Sequence, residues 1–319
     1  HQHQAELLEQ GLCYLQSARP AGAPHSHSAL PLSLFNKYAA FTPQWYAETE
    51  PFGKTAQAIR SELEASEAES FLISSEELFR FPSLPEAVLV KAREDFSRLL
   101  ADYEVAVIMY VREPLSFAKS WYNQINKSPL PCGRFSNFVY YLQHTYMNPE
   151  VNARFWRKMF GDDALIIRPY TSNPDKHIDA FLALMGITSS MPAAAKTDRI
   201  NPGRNEGSLE ADRLAKVYSL SSIAEREVFL RSDALKSTAA IAELKQKIDT
   251  INTRFNKFCD DEGLTGMRSK LTLEEILVHE EKVNQRLVQP GWHLRRFHYR
   301  AVNHPTAVKL INFVKRLKA

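Results

Sequence analysis

A run of apolar residues that stops abruptly at an arginine and a proline limits the possible folds more than any other segment. Residues 105–111 read Val-Ala-Val-Ile-Met-Tyr-Val, and Arg112, Glu113 and Pro114 follow. A run that is apolar throughout is typical of a strand buried on both faces of a parallel sheet. Proline is favoured in the first turn of a helix, so a helix is predicted from Pro114. Arg112 would then lie at the carboxyl end of the strand.

Other apolar runs alternate with helical patterns over the first part of the chain. Further strands are predicted at residues 12–15, 71–75 and 164–168. Apolar residues recur at helical spacing over residues 54–66, 86–101, 114–127, 135–146, 151–160 and 175–185. Alternating strands and helices favour parallel βαβ units. The predicted fold class is therefore α/β, a parallel sheet flanked by helices.

Strand patterns end at Gly186, and the chain beyond it reads as mostly helical. Residues 208–257 are rich in Ala, Leu, Glu and Lys, which are residues of high helix propensity. We predict an α/β core over residues 1–206, incomplete at its N-terminus, and a helical part over residues 207–319 that packs on this core.

Composition narrows the class of protein but does not identify its activity. The formal net charge of +3 is too small to predict nucleic-acid binding, although it is compatible with a local site for an anion. The three cysteines lack the spacing of metal ligands, so no metal is expected, and their sparse use favours a reducing compartment. No apolar stretch is long enough to predict a membrane span, which favours a cytoplasmic location.

The end of the 105–111 strand carries the residues of a phosphate site. Arg112 would lie at the edge of the sheet where open α/β folds bind ligands, and Ser120 lies in the following helix. A guanidinium and a hydroxyl near a helix start suit a phosphate. The alternative is an ordinary buried strand whose terminal arginine forms a salt bridge.

The pattern R-E-P-x5-S-x-Y from Arg112 to Tyr122 closely resembles the 3′-phosphate-binding motif of sulfotransferases. The resemblance implies a P-loop-like sulfotransferase fold and the donor 3′-phosphoadenosine 5′-phosphosulfate, with its 3′-phosphate held by Arg112 and Ser120. It also implies that the sulfuryl group passes to a hydroxyl of a carbohydrate or glycolipid and that adenosine 3′,5′-bisphosphate is released. The alternative is a non-catalytic nucleotide- or glycan-binding protein on the same fold.

Further segments resemble bacterial members of that family in their order and spacing. They are residues 71–79, 160–170, 178–187 and 199–205. The last of these resembles the basic loop that covers the nucleotide of the donor, which implies nucleotide contacts for Arg199, Asn201 and Arg204.

One part of the family pattern is missing from this sequence. Family members carry a Lys-Thr-Gly-Thr-Thr-like loop that holds the 5′-phosphosulfate, and no such loop is found here. The segment Gly53-Lys54-Thr55 has Glu48 where such a loop needs glycine, so it is predicted to begin a helix. Residues 1–10 read as the second half of a helix. We therefore expect the loop to lie upstream of His1, the alternative being its loss together with catalysis.

Two residues are candidates for the general base that takes the proton of the acceptor. Glu76 follows a predicted strand end, and His25 lies with His27 in the loop after the first strand, a region that supplies the base in related glycan sulfotransferases. Glu76 is the first choice. The alternatives are an acidic residue stabilising a helix start and histidines exposed in a loop.

The C-terminal stretch has the pattern of a basic amphipathic helix. Over residues 305–318 the apolar residues recur on one side, and lysines and arginines lie between them. This pattern is compatible with peripheral contact to an anionic membrane, and the alternative is a terminal helix packed on the protein body. No motif favours nucleic acid as a partner.

Overall fold

A computed structural model of the chain describes residues 4–40, 42, 46, 50–128, 130–171, 173–187, 206–220, 222 and 237–284. The helices are α1 Gln4–Glu9, α2 Ala29–Lys37, α3 Phe52–Ala65, α4 Glu86–Leu99, α5 Pro114–Ile125, α6 Phe135–Tyr141, α7 Pro149–Phe160, α8 Pro174–Leu184, α9 Glu206–Ser219, α10 Thr238–Asp261 and α11 Leu273–Asn284. The strands are β1 Leu12–Tyr14, β2 Ser70–Leu72, β3 Val107–Val111 and β4 Leu165–Pro169. Short 3₁₀ helices span Glu76–Ser83 and His144–Met147.

The chain is a mixed α/β protein that divides into two compact units. The first unit comprises residues 1–110 and 150–198, and the second comprises residues 111–149 and 199–319. None of the helices within the described ranges is both long and apolar enough to cross a lipid bilayer.

The described strands form two small parallel sheets, where the sequence predicted one. β1 and β2 pair in parallel, with Leu12 opposite Ser70. β3 pairs with β4, and the Val107 N–H donates to the Ala164 carbonyl at 2.7 Å. Among the residues that the structure describes, no ladder joins the two sheets, although apolar side chains of all four strands pack on one core.

Aromatic rings form the centre of the core of the first unit. Phe81 is fully buried, and its ring centroid lies 5.3 Å from Phe35, 5.7 Å from Phe96, 5.4 Å from Phe155 and 6.0 Å from Trp156. Rings at these separations contribute favourable contacts beyond the burial of their area. The 3₁₀ helix Glu76–Ser83 is thereby fixed between α2, α4 and α7.

The second unit is a set of helices around a separate apolar core. Leu115 and Tyr122 of α5 pack with residues of α6, α10 and α11, including Phe135, Leu244 and Ile276. From residue 206 onward the described elements are the helices α9, α10 and α11. Residues 111–149 belong to the same unit.

A lysine of α10 holds the carboxyl end of α6 in the second unit. Lys247 Nζ donates to the carbonyl of Tyr140 at 2.6 Å and also to that of Leu142. The last carbonyls of a helix have no partners within that helix, and basic side chains often satisfy them. Burial lowers the pKa of Lys247, which reflects the desolvation of its ammonium group.

Replacing Lys247 by methionine is expected to lower the free energy of unfolding of the second unit by about 2 kcal/mol. Methionine keeps the apolar stem but leaves two carbonyls without their charged donor. Lys245→Met, two residues away and exposed, is the matched control. Chemical denaturation of both variants is the measurement, and equal effects would contradict the capping role of Lys247.

Candidate functional site

The junction between β3 and α5 places the predicted phosphate-binding residues in the second unit. Pro114 is the first residue of α5, as predicted, and Glu113 is the N-cap. The two carboxylate oxygens of Glu113 accept the N–H groups of Leu115 and Ser116, each at 2.9 Å. One of these oxygens also accepts the backbone N–H of Lys270 at 2.7 Å.

This cap reduces the number of backbone N–H groups that the start of α5 can donate to an anion. The sequence suggested that the helix start would contribute to a phosphate site, but the Glu113 side chain already takes the N–H groups of Leu115 and Ser116. A negative carboxylate also offsets part of the positive potential of the helix N-terminus. An anion at this place would therefore depend on side-chain donors.

Those side chains lie along one side of the junction. Arg112 is half-buried, and its Nε–H donates to Ser116 Oγ at 2.9 Å. Ser120 is exposed and lies four residues after Ser116, so both hydroxyls occupy the same face of α5. Ser116 was not among the predicted site residues, although it lies four residues from both Arg112 and Ser120 in the sequence.

The two candidate bases lie in the first unit, His25 in the loop after β1 and Glu76 at the first position of the 3₁₀ helix Glu76–Ser83. Both Glu76 and His25 are exposed, and the carbonyl of His25 accepts the hydroxyl of Tyr14 at 2.8 Å. The segment that follows His25 lies against the end of β2, because Ser28 Oγ and Ser75 Oγ are 3.2 Å apart. The loop that carries His25 and the start of this 3₁₀ helix are thus side by side, and the role of either residue as a base stays a prediction.

His27, in the same loop as His25, has a structural role and cannot act as the base. Its side chain is fully buried. Nε2 donates to the Leu15 carbonyl at 2.8 Å, and Nδ1 accepts the Ser74 N–H at 3.0 Å. Burial lowers the pKa of His27, so the ring is neutral near pH 7. Since both nitrogens are bonded within the fold, neither can accept a substrate proton.

Gly53-Lys54-Thr55 is the first turn of a helix, as predicted. α3 begins at Phe52, and Thr55 is buried, with 3% of its surface exposed. Its hydroxyl is therefore poorly placed to contact a phosphate in solvent. Three other predicted contact residues, Arg199, Asn201 and Arg204, lie outside the described residues, as does the segment 305–318.

Comparison with protein-family models, with curated proteins and with solved structures found no match for this chain. The arrangement of Arg112, Ser116 and Ser120 offers a guanidinium and two hydroxyl donors on one side of a helix start. Such a set is suited to an oxyanion, most of all a phosphate monoester.

Proposed function

We propose that the protein binds 3′-phosphoadenosine 5′-phosphosulfate and transfers its sulfuryl group to a hydroxyl of a carbohydrate or glycolipid. The observation that supports this most is the bond from Arg112 Nε to Ser116 Oγ, with Ser120 one turn further along α5. The bond orients the guanidinium plane, and an oriented guanidinium suits a phosphate monoester better than a mobile one. The P-loop-like sulfotransferase fold is part of the same proposal.

In the proposed reaction the donor is anchored through its 3′-phosphate, and the chemistry takes place at its other end. The acceptor oxygen forms a bond to sulfur while the bond from sulfur to the 5′-phosphate oxygen breaks, and adenosine 3′,5′-bisphosphate leaves. The proton of the acceptor hydroxyl passes to a general base, for which Glu76 and His25 are proposed. Arg199, Asn201 and Arg204 are proposed as further contacts to the nucleotide.

A second candidate function is nucleotide binding without transfer. The sequence contains no Lys-Thr-Gly-Thr-Thr-like loop, and the one partial match, Gly53-Lys54-Thr55, is a helix turn whose threonine is buried. Transfer requires fixed donors around the sulfuryl oxygens, whereas binding through the 3′-phosphate does not. The two candidates share the Arg112 site and differ only in turnover.

Calorimetric titration tests the shared site with two probes, adenosine 3′,5′-bisphosphate and adenosine 5′-monophosphate. The bisphosphate is expected to bind about 10- to 100-fold more tightly, because hydrogen bonds to charged groups contribute about 1.5–3 kcal/mol. Arg112→Ala is expected to remove this difference between the probes. Ser120→Ala is expected to reduce it about threefold, since one neutral donor is lost.

Arg154→Ala is the matched control, because this arginine is exposed and pairs with Glu150, one turn away on α7, at 2.5 Å. Equal affinity of the wild type for both probes would contradict the proposal. If the bisphosphate does bind more tightly, a second assay separates the two candidate functions. Release of adenosine 3′,5′-bisphosphate from the full donor in the presence of a glycan would indicate transfer, and no release would indicate binding alone.

A further inference from the structure

A cluster of rings lies at the carboxyl end of the β3–β4 sheet in the first unit. The His177 ring centroid is 4.2 Å from that of Tyr110 and 5.2 Å from that of Tyr170. Tyr110 belongs to β3, Tyr170 follows β4, and His177 lies in the first turns of α8. The carboxyl ends of parallel strands are where α/β proteins bind ligands.

α8 begins here because Asn173 caps it. The Asn173 side-chain oxygen accepts the Lys176 N–H at 3.2 Å, and its carbonyl accepts the His177 N–H at 3.0 Å. Pro174 then occupies the first helical position, where its fixed φ is favourable. The imidazole is thus carried on a rigid helix start rather than on a loop.

Two polar atoms in this cluster are buried without a partner. Among the described residues, neither Tyr110 Oη nor His177 Nδ1 makes a hydrogen bond, and each has almost no contact with solvent. Buried polar side-chain atoms are bonded in the large majority of cases, because an unpaired one is costly. Two such atoms, on rings that contact each other, indicate a binding site in which a ligand supplies the missing hydrogen bonds.

The protonation state of the two groups narrows the class of ligand. Burial lowers the pKa of His177, so the imidazole is neutral near pH 7 and one ring nitrogen is an acceptor. Burial also raises the pKa of Tyr110, and the Arg168 guanidinium offsets part of that rise, so the phenol keeps its proton. An alcohol can satisfy both atoms, because it accepts from Tyr110 Oη and donates to His177 Nδ1.

We propose that Tyr110 and His177 bind a hydroxyl group of a sugar, whose ring packs on the exposed face of Tyr170. The Tyr170 side chain is 40% exposed, so an apolar sugar face has a ring to contact beside the two polar atoms. An oxyanion has no proton to donate, so it could pair with Nδ1 only in the tautomer that carries the proton there, whereas an alcohol hydroxyl suits either tautomer. That this sugar is the sulfuryl acceptor rests on the proposed function, whereas the hydroxyl-binding site does not.

The test uses the full chain with ¹³C-labelled histidine and NMR, with His177→Gln to assign the His177 signal. The probes are the methyl glycosides of galactose, glucose and N-acetylglucosamine, with inorganic sulfate in parallel. At least one glycoside is expected to shift the His177 signal in a saturable way. Tyr110→Phe is expected to weaken that binding about three- to tenfold, the effect of one hydrogen bond.

Stability separates a ligand-binding role from a structural one. Tyr110→Phe removes a hydroxyl that has no partner in the described fold, so the melting temperature is expected to stay unchanged or rise. Tyr141→Phe is the matched control, because its side chain is 71% exposed. A loss of melting temperature in Tyr110→Phe alone would show that the hydroxyl is structural and overturn the proposal.

The remaining outcomes are also decisive. A His177 signal that responds to sulfate and to no glycoside would replace the sugar with an oxyanion, and a signal that responds to no probe would overturn the site. Titration with adenosine 3′,5′-bisphosphate reports on Arg112 independently. Glycoside binding without bisphosphate binding would support the sugar site and refute the donor proposal. Bisphosphate binding without glycoside binding would support the donor proposal and overturn the sugar site.

Discussion

Replacing Phe81 by alanine is expected to lower the free energy of unfolding of the first unit by about 4 kcal/mol. Phe81 is fully buried and its ring contacts those of Phe35, Phe96, Phe155 and Trp156. Removing a phenyl group from a closely packed core loses its transfer free energy and leaves a cavity, which together cost about 3–5 kcal/mol. Rigid rings that pack on one another cannot easily move to fill the space.

The chain has two units, so the loss must be measured locally rather than from one global transition. Hydrogen exchange resolved to peptides of α2 and α4 reports the opening of the first unit, and these peptides are expected to exchange much faster in Phe81→Ala. Val90→Ala is the matched control, since Val90 of α4 is 37% exposed. Similar exchange in the two variants would contradict the central position of Phe81.

The sequence predicted the strand and helix around Arg112 because several local signals agreed there. The apolar run, the arginine and the proline indicated β3 and α5, and the structure has β3 at Val107–Val111 and α5 at Pro114–Ile125. The helical pattern over residues 1–10 likewise matches α1 at Gln4–Glu9, and Gly11 after its end has a φ of +79°. Such a left-handed conformation favours glycine over other residues.

α2 was missed because it has no polar face. Residues 29–35 of this helix are all buried, so the amphipathic spacing that indicates a helix is absent. Pro31 also argued against a helix, although it lies in the first turn, where proline is tolerated. A helix buried on all sides is defined by the elements that pack around it, and local sequence does not carry that information.

The candidate site was predictable in part. Arg112 and Ser120 came from the motif, but the bond from Arg112 to Ser116 depends on side-chain rotamers that spacing alone does not fix. An acidic residue near the start of α5 is favoured by the helix dipole, but the capture of two N–H groups by Glu113 was not predictable, because glutamate is not among the preferred N-cap residues. The contact of Tyr110 with His177 joins residues 67 positions apart in sequence, which only the tertiary fold brings together.

His27→Ala is expected to lower the free energy of unfolding of the first unit by about 3 kcal/mol. The substitution leaves the Leu15 carbonyl and the Ser74 N–H unpaired, and a buried group left unpaired costs about 1–3 kcal/mol. It also removes the ring that joins the end of β1 to the residues after β2. His25→Ala is the matched control, because that side chain is exposed two residues away.

The same histidine makes the free energy of unfolding of the first unit depend on pH. Burial holds the pKa of His27 below its usual value, so the unfolded chain binds a proton at a higher pH than the folded one. The contribution of neutral His27 to the free energy of unfolding is therefore complete above about pH 6.5 and falls as the pH drops below that value. The slope is at most about 1.4 kcal/mol per pH unit and ends near the folded pKa.

His27→Gln separates this titration from that of other groups, since glutamine keeps a polar side chain but binds no proton. His177, whose pKa burial also lowers, titrates in both proteins and cancels in the comparison. Between about pH 6.5 and pH 5 the wild type is expected to lose more stability than His27→Gln. Equal losses of stability in the two proteins would mean that His27 takes up its proton in the folded state. The Ser74 N–H would then have to point away from Nδ1, and the junction of the two strands would have to be rearranged.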